Sequence, residues 1–403
     1  MTIALEPFSL ALQPASLPKG DVEALYVHVP FCFHKCHYCD FYSITRQTPE
    51  RMDRFVDLVL REAERWTEGA DGPTVRPRTI FFGGGTPTLL PPDQMRRLIV
   101  GLRARFDFSQ LDEFTVEANP ATLSDEHAAV LREAGVDRLS FGAQSFDRAE
   151  LAALERHHDP DDVPRSLAIA RAARFTRLNL DLIFAIPGQT LERWSVSLER
   201  AIALGTPHLS CYGLTYEPNT PIAVKKRLGT MIPVEESLEL DMLRYTRRRL
   251  AQVNRPAYEV SNYATAGEAC RHNLVYWTGG NYIGLGPSAA SHVSGRRWKN
   301  RPHLGEWENA IESDRLPAAD VEQLTPDQRA GELAMLLLRL TDGLNFDAFA
   351  ARAGRDARAL FARQLDQLAP TGLITIDDHG FRLTDRGLGV ADAVAAEFLA
   401  PTA

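Results

Sequence analysis

The strongest constraint on this chain is a serial alternation of short β-rich runs with amphipathic helical segments. "ALYVHV", "RTIFF", "EFTVEA", "RLSFGA", "LNLDLIFA" and "HLSCYGLTY" read as strands. Between them, Met52, Phe55, Val56, Val59, Leu60, Ala63 and Trp66 fall at i, i+3, i+4, i+7 spacing and make one apolar stripe of a helix. "PDQMRRLIVGLRARF", "SDEHAAVLREAG", "VPRSLAIARAARF", "TLERWSVSLERAIALG" and "VEESLELDMLRYTRRRLAQV" read the same way. Ile80-Phe81-Phe82 is apolar without alternation, as expected of a parallel strand buried on both faces. Six βα units in series specify a wound α/β architecture, either a barrel or an open sheet.

A barrel places its chemistry at the C-terminal ends of its strands. The polar and glycine-rich features fall there. A cysteine loop follows the first strand, Gly83-Gly84-Gly85-Thr86 the second, and Glu117-Ala118-Asn119-Pro120 the third. Gln144 follows the fourth strand, Asp181 lies in the fifth, and Tyr216-Glu217-Pro218-Asn219 ends the sixth.

The loop "PFCFHKCHYCDFYS" holds Cys32, Cys36 and Cys39. A disulfide would leave one thiol over, and five cysteines in 403 residues make no disulfide framework. Zinc would need His34 or His37 as a fourth ligand, whereas closed zinc sites usually show two separated ligand pairs. A [4Fe–4S] cluster on three thiolates leaves one iron open for a small chelating ligand. The spacing CxxxCxxC is similar to that of radical S-adenosylmethionine (SAM) enzymes. In that reading the glycines let backbone carbonyls approach the methionine amino group. Glu117 and Asp181 would accept from hydroxyl or amino groups, and Arg156 would pair the carboxylate. The competing reading of "GGGTPT" is a phosphate cradle, but no Lys follows as it does in a P-loop.

From about Arg255 the pattern changes to a long stretch rich in Gly, Ser, Tyr and Trp without helical period, which marks a functional segment. Beyond Pro326 come helices, a hairpin "LITIDDHGFRLT" and a last helix, a winged-helix-like end. The domains are therefore expected as an N-terminal tail 1–22, a barrel 23–255 and a C-terminal α+β unit 256–403. The net charge of −8 argues against a nucleic-acid coat. The helix "DARALFARQLDQL" balances arginines with aspartates and shows no basic stripe for DNA. The N-terminus lacks the basic region of a signal peptide, and no apolar run approaches the ~18 residues of a membrane span. A cytoplasmic, reducing compartment is expected.

Eight ordered stretches, "YVHVPFCFHKCHYCDF", "FFGGGTPTLL", "VEANP", "FGAQSF", "LERHH", "NLDLIFAIPGQT", "LTYEPNT" and "HNLVYW", carry a family resemblance. The chain resembles the oxygen-independent coproporphyrinogen III oxidase-like family of radical SAM proteins, in its HemW-type heme chaperone branch. The resemblance implies a partial (β/α)6 TIM-like barrel and a cluster on Cys32, Cys36 and Cys39. It also implies SAM contacts at Tyr26, Gly84, Gly85, Thr86, Glu117, Gln144, Arg156 and Asp181. His272, in "HNLVYW", resembles the position associated with heme binding. Cys270 is a second candidate ligand, and Cys211 reads as core. The oxidase pattern has a further cysteine where this chain has Phe41, and it has a longer N-terminal arm. The expected function is therefore heme binding and transfer to acceptor hemoproteins, without oxidase activity. The oxidase is the alternative. No catalytic residue is assigned, and a homodimer and peripheral membrane association stay open.

Overall fold

The computed structural model describes residues 20–67 and 74–399. The expected tail lies outside these residues up to position 19, and the first strand already begins at Asp21. The expected alternation is present. Strands β1 (Asp21–Val29), β2 (Thr74–Gly84), β3 (Glu113–Ala118), β4 (Arg138–Gln144), β5 (Arg177–Phe184) and β6 (His208–Gly213) pair in sequence order, all parallel. Helices α1 (Pro49–Arg65), α2 (Pro92–Arg103), α3 (Asp125–Glu133), α4 (Arg148–Ala153), α5 (Asp162–Ala172), α6 (Leu191–Ala203), α7 (Pro221–Arg227) and α8 (Glu236–Gln252) supply the connections. β1 and β6 do not pair with each other, so the six-stranded unit is a partial barrel.

One register explains the lumen. Partnered residues in a parallel sheet share a face, and side chains alternate along each strand. Leu25, Val27, Ile80, Phe82, Phe114, Val116, Leu139, Phe141, Leu180 and Leu209 face the helices and are fully or almost fully buried. The opposite face carries Tyr26, Phe81, Thr115, Glu117, Ser140, Asn179, Asp181, His208 and Ser210. The strands thus alternate, and the sequence expectation of uniformly apolar strands fails on the inner face. Phe81 made β2 look uniform only because it is an aromatic residue in a mostly polar lumen.

α1 shows how the outer layer is set. The Thr48 side chain caps it by accepting from Arg51 N, and Pro49 opens the first turn. Its stripe buries Phe55, Val56, Val59 and Ala63 completely. Glu62 is also fully buried, accepting from Gly286 N (2.8 Å), Trp307 Nε1 (3.0 Å) and Asn300 Nδ2 (2.6 Å). Burial pushes its carboxyl up to about 8 against those three donors.

The segment after Arg255 is more regular than its sequence suggests. It forms β7 (Asn262–Ala264), helix α9 (Arg271–Trp277), β8 (Tyr282–Leu285), β9 (Ala290–Val293), β10 (Arg296–Asn300), α10 (Leu304–Glu312) and β11 (Ala318–Gln323). β8 pairs parallel to β1, so the sheet runs on past residue 255 in the order β11-β10-β9-β8-β1-β2-β3-β4-β5-β6-β7. These short strands escape notice in sequence because tertiary pairing, not local propensity, holds them. Beyond them lie α11 (Pro326–Leu337), β12 (Leu344–Asn345), α12 (Phe346–Ala353), β13 (Ile374–Ile376) and β14 (Gly380–Leu383). β13 and β14 form the expected hairpin, β12 adds a third antiparallel strand, and a separate core gathers Phe349, Phe361, Phe381 and Phe398. Among the described residues, no helix is long and apolar enough to cross a membrane.

Candidate cofactor site at the barrel rim

The cysteine loop leaves β1 and is fastened at several points. Cys32 N donates to Ile44 O (3.0 Å), Ile44 N to Pro30 O (2.7 Å), and Cys39 N to Cys36 O (3.2 Å). His37 N reaches Leu154 O (3.3 Å), and Ile222 N reaches His37 O (3.0 Å). Cys32, Cys36 and Cys39 are all free thiols, which removes the disulfide reading. The loop histidines approach Glu155, at 3.9 Å for His34 and 3.8 Å for His37.

The glycine loop lies directly against the cysteine loop. Gly85 N donates to Val29 O (2.8 Å) and Thr86 N to Phe31 O (2.7 Å). A Cβ on Gly85 would sit 2.6 Å from Phe31 O and 2.7 Å from Val29 O, so the contact requires glycine. A Cβ on Gly83 would lie 2.9 Å from Glu117 Oε2, and one on Gly84, at φ +98°, 2.5 Å from the His28 ring. Thr86 Oγ1 lies 3.8 Å from Cys32 Sγ.

Arg156 links the loop to the end of β4. Its Nη2 donates to Gly142 O (2.8 Å), its Nε to His158 Nδ1 (3.2 Å), and its Nη1 lies 3.8 Å from Cys36 Sγ. Gln144 adopts φ +62° at an irregularity in the β4–β5 register, an uncommon conformation for a non-glycine residue. Its Nε2 and the Arg156 Nη2 would lie 2.8 and 2.9 Å from a Cβ on Gly142. Tyr26 stacks on Phe81, with ring centroids 6.2 Å apart.

Two lumen carboxylates complete the rim. Asp181 accepts from Ser140 Oγ (3.1 Å) and Asn179 Nδ2 (2.8 Å). Burial raises its carboxyl even so. Glu117 is pushed up to about 8, by burial first and by the Asp181 charge second. The rim thus holds two desolvated carboxyls whose charged forms burial disfavours, and a cation bound there would favour their ionisation. Sequence reasoning missed Asn179, Ser140 and Ser210, which orient Asp181. The polar alternation in "NLDLI" was the signal that could have found them.

His272 lies elsewhere. It sits in α9, not in a loop, and is 1% exposed. Nδ1 shares a hydrogen bond with Thr79 Oγ1 (2.9 Å) and Nε2 with Tyr276 Oη (2.8 Å), while the ring stacks on Phe81 at 5.2 Å. Both nitrogens are engaged, so contact with an iron requires one of these bonds to break. Cys270 Sγ donates to Glu113 Oε1 (3.3 Å), and burial pushes this thiol up to about 12. Cys211 is buried in the outer core, as expected.

Comparison with known proteins agrees with this geometry. A sequence profile of the radical SAM superfamily matches residues 26–201, and one of the HemN C-terminal domain matches 324–390. The heme chaperone HemW of Bacillus subtilis is 35% identical over 379 residues, covering 94% of this chain and 99% of that protein. The heme chaperone HemW of Escherichia coli is 34% identical over 384 residues, covering 94% and 98%. The structure of coproporphyrinogen III oxidase (HemN) from E. coli superposes with a TM-score of 0.81 at 23% identity, covering 94% of this chain and 90% of that one, which shows a shared fold. With relatives above 30% identity along nearly its whole length, the chain belongs to the HemW family of the radical SAM superfamily.

Proposed function

We propose that this protein is a radical SAM heme chaperone that binds heme and passes it to acceptor hemoproteins, using a [4Fe–4S] cluster and SAM. Membership of the radical SAM superfamily implies the cluster and SAM, and the relatives' name supplies heme. The observation that carries the reading is the convergence, at one end of the barrel, of three free thiols, a glycine loop crowded against them and two buried carboxyls. This donor set fits both groups. Cys32, Cys36 and Cys39 would hold the cluster, which supplies one-electron chemistry when bound. Gly84, Gly85 and Thr86 would line the amino end of SAM, and Arg156 would pair its carboxylate. Glu117 and Asp181 would face its positive charge, with Tyr26 and Gln144 closing the sides. The chain would divide at about residue 255 into barrel and C-terminal units, and it would act in the cytoplasm.

The oxidase alternative is disfavoured by Phe41, which is 62% exposed and stands where the oxidase pattern has a further cysteine. The test gives anaerobically reconstituted protein heme plus an apo-hemoprotein, and separately coproporphyrinogen III, SAM and a reductant. Heme uptake and delivery, without decarboxylation, is the expected result. SAM-dependent decarboxylation over many turnovers would overturn the proposal.

A further inference from the structure

The stretch that carries Arg156 holds a second group of side chains. Arg156 Nε donates to His158 Nδ1 (3.2 Å), and the same guanidinium faces Cys36. The alternate residues, Glu155 and His157, meet each other instead, with Glu155 Oε2 3.6 Å from His157 Nε2. His34 joins them from the cysteine loop. Its Nε2 lies 3.9 Å from the same Glu155 oxygen, and its ring stacks on that of His157 with centroids 4.1 Å apart. One ligand atom from each of the three residues lies within 4.8 Å of the other two.

These groups lack the partners that would account for them. Among the described residues, Glu155 pairs with histidines alone: His34, His157 and, at 3.8 Å, His37. His37 is already engaged, because Lys225 Nζ donates to its Nδ1 (3.0 Å). His34 Nε2 is shielded from water and has no hydrogen-bond partner, since the carboxylate oxygen it faces is too distant to be one. A shielded nitrogen is normally paired. Glu155 itself stands just past the end of α4 at φ +54°, a left-handed position that usually takes glycine. An ion held between the three side chains would satisfy the carboxylate and the His34 nitrogen together.

The donor set selects the ion. Two imidazoles and one carboxylate suit a divalent transition metal, whereas magnesium and calcium prefer oxygen ligands alone. Zinc takes such nitrogens and oxygens at about 2.0–2.2 Å, with water in the fourth position when the protein supplies three ligands. The side chains of His34, Glu155 and His157 are 38%, 36% and 61% exposed, so small rotations can close them on one ion.

We infer that His34, Glu155 and His157 form a zinc-type metal site beside the cysteine loop, clasping that loop to the α4–α5 connection. The site uses none of the three thiols and does not depend on the heme reading. The test dialyses full-length, cluster-loaded protein anaerobically against Zn²⁺ with Mg²⁺ in excess, for wild type, His157→Ala and Glu155→Gly. Loading the cluster first keeps the thiols occupied. Wild type should take up one zinc per chain with iron content and cluster absorbance unchanged, and hydrogen exchange across residues 32–39 should slow. Each variant should weaken zinc about tenfold or more and leave the cluster absorbance as it is. Both should fold, because His157 is exposed and Glu155→Gly relaxes a left-handed residue; far-UV circular dichroism checks this. Zinc uptake that displaces iron would put the metal on the thiols and overturn the site. So would a wild type that takes up no zinc, or a folded variant that binds it as tightly as wild type.

Discussion

Glu113→Gln tests how α9 is held in the lumen. Glu113 is 1% exposed at the start of β3 and accepts from Arg177 Nη2 (2.8 Å), Arg271 N (3.1 Å), His272 N (3.1 Å) and Cys270 Sγ (3.3 Å). Two of these donors are the opening amides of α9, so one carboxylate both caps the helix and neutralises a buried arginine. The glutamine side chain turns a donor toward donors and removes the charge. Breaking a buried pair on one side costs roughly 3–5 kcal/mol. Arg177 keeps Asp137 (2.7 Å) and Glu268 (3.4 Å), so the lower end, about 3 kcal/mol, is expected. The pH dependence has a definite sign. Burial works to raise the Glu113 carboxyl, but Arg138, the two amides and Arg177 outweigh it and hold it below its ordinary 4.5. Its stabilisation is therefore present above pH 4.5 and lost as pH falls through the lower folded value. Urea unfolding followed by circular dichroism should show a lower midpoint for Glu113→Gln at pH 7, and the gap to wild type should narrow below pH 4.5. Hydrogen exchange should find the α9 amides deprotected in the variant. A cost under about 1 kcal/mol at pH 7, or a gap indifferent to acid, would refute this account of the helix anchor.

Replacing Cys32, Cys36 and Cys39 together with Ala should abolish iron and visible absorbance while far-UV circular dichroism persists, because backbone bonds to Ile44, Leu154 and Ile222 hold the loop. Glu117→Ala and Arg156→Ala should each weaken SAM roughly ten- to hundredfold by equilibrium binding, the loss of one charge-assisted hydrogen bond. Arg156→Ala should also disturb cluster absorbance, because the guanidinium lies 3.8 Å from Cys36 Sγ; Glu117→Ala should not. Gly85→Ala should lower cluster occupancy even though it removes no ligand, since its Cβ would collide with Phe31 O and Val29 O. Normal iron content in that variant would mean that the two loops do not depend on each other.

Much of the rim was legible because its signals are local. Cysteine spacing, a glycine run and acids at strand ends are all read along a single loop or strand. The βα alternation and the stripe of α1 followed in the same way, since hydrophobic period is a property of the chain itself. The pairing of β8 with β1, the polar lumen behind Phe81 and the helix at Arg271–Trp277 were not legible. Each depends on partners far away in sequence: Glu113 lies 159 residues before His272, and Thr79 lies 193 residues before it. The two histidines show the division most plainly. By residue type His272 and His292 are equal candidates for an iron, and a motif favours the first. Only the fold occupies both nitrogens of His272, through Thr79 and Tyr276, while it ties one nitrogen of His292 to Gly280 O. An imidazole's availability is set by its hydrogen-bond partners, and those partners are chosen by tertiary packing.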